Sequence, residues 1–146
     1  MAYHFTFLDN VALADAAFDA QADTPSELLT AAAQAVVETM VDPRSVEPMW
    51  SKTIELQAPD LASLLFDWLA EIVYLKDAQG VVFREAKAVV TEDRPHGGWK
   101  VRGMVTGEPI DPERHELRAD VKAVTKHLFQ VNQTDEKWLA RVVLDI

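Results

Sequence analysis

Thr24-Pro-Ser-Glu-Leu-Leu-Thr-Ala-Ala-Ala-Gln-Ala-Val-Val-Glu-Thr-Met40 is the stretch on which the fold turns. It carries its own start signal. The Thr24 hydroxyl can cap the first free amides, and Pro25 suits the first helical position. Glu27 can reach back to close a capping box. Leu28, Leu29, Ala32, Val36 and Met40 then fall on one face at helical spacing. Pro43 ends the run. A second segment repeats the logic. Asp60 caps, Leu61, Leu64, Leu65, Trp68, Ile72 and Leu75 form an apolar stripe, and Gly80 stops it.

Everything else alternates with a period of two. Tyr3 to Leu8 places Tyr3, Phe5 and Phe7 on one face, and Asp9-Asn10 marks a turn. Ala14 to Gln21 is a second strand paired with the first. Lys52 to Gln57 turns Ile54 and Leu56 inward. Val81 to Val90 and Trp99 to Thr106 form a hairpin around Gly97-Gly98. Ala119 to Val131 reads as one long strand, with His127 inward beside Thr125 and Phe129. Lys137 to Asp145 closes the chain. Two helices among antiparallel strands predict an α+β fold: one domain over residues 1–146, a mainly antiparallel sheet with both helices packed on one face. Trp68, Trp99 and Trp138 belong to the core of such a domain.

The composition narrows the function. There are 146 residues, of which 49% are hydrophobic, and no cysteine. That excludes a disulfide scaffold and any thiolate-held metal, and fits a reducing cytoplasm. No apolar run approaches the ~18 residues of a membrane span, and the alternating N-terminus is no signal peptide. The net charge is −10. Phosphate backbones repel such a surface, so direct nucleic-acid binding is not expected, whereas cations or a basic protein partner suit it. Solubility alone would also account for the acidity.

No side chain is set up as a nucleophile. Ser26, Ser45, Ser51 and Ser63 are explained by caps, turns or strand starts, and the five glycines form no phosphate loop. None of His4, His96, His115 and His127 pairs at helical zinc spacing. His115 sits in a polar loop, where exposure is the ordinary reading and a binding role the sharper one. Lys122 either faces solvent or offsets nearby carboxylates. Carboxylates remain. The chain given ends Asp145-Ile146, which puts a side-chain carboxylate next to a main-chain one. If the closing strand lies beside the first hairpin, Asp15 meets both. Oxygen donors of this kind favour Ca²⁺, Mg²⁺ or Mn²⁺ over softer metals. Spacing leaves open the plainer alternative, a hydrated terminal aspartate.

At several places the chain resembles the archease family. The residues are Thr39-Met-Val-Asp-Pro43 with Glu47-Pro48, Leu64-Leu-Phe-Asp-Trp-Leu69, Gly107-Glu-Pro109 with Asp111-Pro-Glu-Arg-His-Glu-Leu117, Val121-Lys-Ala-Val-Thr125, and Leu144-Asp-Ile146. The resemblance implies a protein cofactor rather than an enzyme. Its partner would be an RtcB-type RNA ligase, which seals RNA ends in tRNA splicing or repair through a covalent guanylate. The cofactor would promote guanylylation and turnover. It also implies a divalent-metal site, Ca²⁺ first, with Mg²⁺ or Mn²⁺ as alternatives. Asp15, Asp145 and Ile146 would hold the ion, while His115, Glu116 and Lys122 would shape a docking face. The family's Asp-His-Thr-Ala-Asp motif stands here as Asp9-Asn-Val-Ala-Leu-Ala-Asp15, two residues longer. An alternative reading of that insertion gives the ligand role to Asp9. The rivals are a stand-alone metal-dependent hydrolase or nucleotide-binding enzyme, and a metal-free structural adaptor. The missing glycine-rich loop and the absence of a paired nucleophile and base weigh against the enzyme.

Overall fold

A computed structural model describes residues 3–8 and 15–146. The strands are β1 (Tyr3–Leu8), β2 (Asp15–Ala22), β3 (Trp50–Ala58), β4 (Val81–Glu92), β5 (Trp99–Pro109), β6 (Ala123–Val124), β7 (Gln130–Gln133) and β8 (Trp138–Asp145). The helices are α1 (Pro25–Met40) and α2 (Leu61–Gln79). As the alternation predicts, every pairing among the named strands is antiparallel.

Both helix starts form as the sequence indicates. The Thr24 oxygen accepts from the Glu27 amide at 3.1 Å, and the Asp60 carboxylate accepts from the Ser63 amide at 2.7 Å. Gly80, at φ 62°, caps the end of α2. Asp42 caps a short 3₁₀ turn, Pro43–Ser45, just beyond α1.

The strands divide into two sheets. One runs β1-β2-β8-β6 with β7 also on β8; the other runs β3-β5-β4. Both helices touch both sheets and lie between them. α1 is accordingly buried well beyond a single stripe: Leu28, Leu29, Ala31, Ala32, Ala33, Ala35, Val36 and Val37 are all excluded from solvent. Small alanines let both sheets approach it. Trp68 fills the space between layers, and its indole N–H donates to the Leu29 carbonyl at 3.0 Å. Its ring lies flush against β5 at Gly103, where an added Cβ would come within 2.3 Å of it.

One strand expectation changes. The predicted strand from Ala119 to Val131 is broken into β6 and β7 by a turn closed by the Phe129 amide on the Lys126 carbonyl at 3.2 Å. Strict alternation fails because Val121 and Val124 are both buried, three residues apart. His127 is exposed on that turn rather than inward.

Candidate functional site

β8 lies between β2 on one side and β6 and β7 on the other. Its Leu144, Val142 and Ala140 pack toward the helices. Asp145 and Arg141 therefore share the opposite face, because side chains alternate along a strand. The rungs of this face are informative. Asp19 is paired with Arg141, and the guanidinium grips its carboxylate twice, Nε to Oδ1 at 2.8 Å and Nη2 to Oδ2 at 2.9 Å. Four residues along the same face, Asp15 is paired with Asp145. Directly opposed residues have Cβ atoms about 4.5–5.5 Å apart, and like charges there are destabilising. One rung is complementary; the other is not.

Across β8 from Asp15 stands Ala123 of β6, paired with Asp145. The adjacent Lys122 amide donates to the Asp145 carbonyl at 2.8 Å and fixes the strand end. The Lys122 side chain is exposed. Lys76 holds Asp120 below the ordinary carboxylate range through a 2.7 Å hydrogen bond, and Lys122 adds a smaller pull. Ile146 is half-buried and packs against the core cluster. Asp9 lies outside the described residues. Among the described residues, neither Asp15 nor Asp145 has an ion-pair partner, and no group of three or more His, Cys, Asp or Glu gathers at metal-binding distance. The edge thus supplies two side-chain carboxylates. These are hard oxygen donors of the kind Ca²⁺, Mg²⁺ and Mn²⁺ take, and a third must come from elsewhere.

The polar loop before β6 is built differently from its expected role. His115 is only 5% exposed and does not face outward. Its Nδ1 accepts from the Asp111 amide at 2.9 Å, so the ring hydrogen sits on Nε2 and is donated to Glu108 Oε1 at 2.6 Å. The same oxygen accepts from Arg114 at 2.7 Å and from the Glu47 amide at 3.0 Å. Arg114 first, then the Glu47 amide and His115, holds the Glu108 carboxyl far below its usual range. Glu116 keeps an exposed side chain while its backbone ties to Asp42 and to the Ser45 hydroxyl. Asp42, gripped by Arg44, is pushed down to about 2.

Of the residues marked in the sequence, then, Asp15 and Asp145 come together, Glu116 and Lys122 are on the surface, and His115 is an internal strut. Glu108, Arg114 and Asp42 lie in the motifs quoted for the resemblance, but sequence reading assigns them no role of their own. Glu108 carried one signal, an acid between Gly107 and Pro109 at the end of an apolar strand.

Two helices held between antiparallel sheets, with a carboxylate edge at the end of the central strand, define a small α+β protein of a recognisable kind. The family model described as Archease protein family (MTH1598/TM1083) matches residues 5–146. The chain belongs to the archease family. It is 44% identical over 133 residues to the protein archease of Methanopyrus kandleri, covering 91% of this chain and 94% of that one. To the protein archease of Pyrococcus furiosus it is 36% identical over 134 residues, covering 91% and 93%. The solution structure of Methanobacterium thermoautotrophicum protein 1598 superposes with TM-score 0.81 at 36% identity, over 97% of this chain and 98% of that chain. The crystal structure of a Thermotoga maritima archease, termed a possible chaperone, shares the fold at TM-score 0.63 and 19% identity, over 92% and 93% of the two chains.

Proposed function

We propose that this chain is an accessory protein, not itself an enzyme, that assists an RNA ligase of the RtcB type in its guanylylation and turnover. The family's resemblance supplies the partner; the observation that supports a working edge is the Asp15–Asp145 rung. Two like charges paired across a ladder are kept at a stability cost, and a cation between them removes that cost. Asp15 and Asp145 would hold a divalent ion, Ca²⁺ by preference. Ile146 would add a third donor where its main-chain carboxylate is free. Such an ion, when bound, supplies positive charge against phosphate oxygens. The protein's own contribution is to orient the two half-buried carboxylates on a ladder fixed by the Lys122 amide at the strand end. The surrounding acidity favours a basic docking partner.

The test combines two readouts. Purified ligase is assayed for covalent guanylate formation with and without this protein, and the protein alone is melted with Ca²⁺ or Mn²⁺. Saturation at a hundredfold over the dissociation constant would add about 2.7 kcal/mol to stability. Asp145→Asn is expected to melt higher than wild type in chelator, to lose the cation-dependent shift, and to lose stimulation. A cation shift that survives in Asp145→Asn rules out this edge. Stimulation that survives without any shift identifies a metal-free adaptor. A chain extended past Ile146 tests the terminal donor.

A further inference from the structure

Asp145 is the last residue of β8, so its place depends on what ties the strand end. On the β6 side the ladder has two rungs, Ala123 with Asp145 and Val124 with Leu144. The Lys122 amide adds a bond to the Asp145 carbonyl at 2.8 Å. That amide is one half of a peptide group whose other half is also engaged. The Val121 carbonyl accepts from the Lys76 ammonium at 2.6 Å. A peptide group is planar and stiff, so a constraint on its carbonyl passes directly to its N–H.

Lys76 is itself firmly held. It lies in the last turn of α2, and its carbonyl accepts the Gly80 amide that caps the helix. Only 12% of its side chain is exposed. An ammonium has three hydrogens, and three acceptors surround this one: Asp120 at 2.7 Å, the Val121 carbonyl, and Asp77 at 3.0 Å. Burial works against the charge, but the hydrogen bonds to Asp120 and Asp77 outweigh it and raise the ammonium above its ordinary range. Both carboxylates are mostly exposed, so water can serve them. Val121 is wholly buried, and at its carbonyl the lysine takes the place of water.

We infer that Lys76 is a positioning residue for the Asp15–Asp145 edge. Through the Val121–Lys122 peptide it holds the Asp145 main chain where the two carboxylates meet a divalent cation. The inference rests on the edge reading given above. A charged donor at the carbonyl polarises the peptide and strengthens its N–H as a donor, since hydrogen bonds in a chain reinforce one another. A strand end held in this way has less freedom to lose when the ion binds. The sign of the effect separates position from charge. Lys76 is a cation, and through space a cation repels Ca²⁺. Its removal tightens Ca²⁺ binding if charge alone acts, and weakens it if position does.

Ca²⁺ binding to the full chain is measured by titration calorimetry for wild type, Lys76→Met and Asp120→Asn. Hydrogen exchange of the Lys122 amide is followed by NMR, with Ca²⁺ and with chelator. Met keeps the apolar stem and removes the donor, and the carboxylates it leaves behind are open to water. Lys76→Met should bind Ca²⁺ about two- to tenfold more weakly, the share of one hydrogen bond. Its Lys122 amide should exchange faster in chelator. Asp120→Asn leaves the ammonium on the Val121 carbonyl and should keep the Lys122 amide as protected as in wild type. Coupling is reciprocal, so in wild type Ca²⁺ should slow exchange at Lys122, a readout that needs no variant. Ca²⁺ bound equally or more tightly by Lys76→Met overturns the positioning role and leaves the edge in place. So does a Lys122 amide whose exchange bound Ca²⁺ does not alter. A wild type that binds no Ca²⁺ overturns the edge, and the role of Lys76 with it.

Discussion

At the scale of single residues, Gly103 decides how close α2 lies to the second sheet. A Cβ there would stand 2.3 and 2.5 Å from two Trp68 ring atoms and 2.8 Å from the Lys87 carbonyl. The ring cannot retreat without losing its bond to Leu29, and the carbonyl belongs to the neighbouring strand. Gly103→Ala should therefore cost about 1–3 kcal/mol or more by overpacking. Urea unfolding would show a lower midpoint with the same slope. An unchanged midpoint would mean that the indole is free to move. The apolar stripe made Trp68 legible as core from its spacing alone. The glycine opposite was not, since nothing local marks a strand glycine as the floor of a tryptophan site. The histidines show the same limit. His115 was readable as a loop residue, but its burial depends on Glu108 and Arg114, which only the folded loop brings beneath it.

At the scale of elements, the outer edge of β4 has an unusual partner. The amides of Ala88 and Val90 donate not to another strand but to the hydroxyls of Thr30 and Ser26, at 3.0 and 2.8 Å. These two hydroxyls lie one turn apart on α1, matching the rise of a helix to the repeat of a strand. Open sheet edges invite pairing with other chains, and α1 closes this one. Thr30→Val removes the acceptor with little change of shape and should cost about 1–3 kcal/mol through the unsatisfied amide. Combined with Ser26→Ala, it should also speed hydrogen exchange at Ala88 and Val90 and favour self-association by size-exclusion chromatography. Protection that persists in the double variant would show that the edge is closed some other way. The sequence exposed both helices, their caps and most strand limits, because those depend on neighbours a few positions apart. It missed the division into two sheets and the break at Lys126 to Phe129. Alternation marks which face is apolar, but not which sheet a strand joins.

At the scale of the whole molecule, acid reveals how the two long loops are tied to the core. Glu108 receives Arg114, the Glu47 amide and His115, and so joins the segment after α1 to the one after β5. A carboxyl depressed in the folded state, against about 4.3 for an ordinary glutamate, stabilises the fold fully above the unfolded value. That stability drains away as pH falls toward the folded value. Below about pH 4.3 the unfolded chain binds more protons than the native one, so stability must decline with pH in that window. Asp42, held by Arg44, deepens the same decline between its ordinary value and about 2. Arg114→Gln removes the largest cause of the Glu108 shift. It should destabilise the protein at pH 7, and its deficit relative to wild type should shrink below about pH 4.3, because wild type loses stability there as its unfolded chain alone takes up the proton, while the less depressed Glu108 of the variant takes it up in the native state too. Gly103→Ala, whose cost is steric, should keep a constant deficit over the same range. Denaturant midpoints for the three proteins between pH 7 and pH 3 separate the two kinds of loss. An Arg114→Gln deficit that stayed level down to pH 3 would mean that the loops are held by packing rather than by the Glu108 charge.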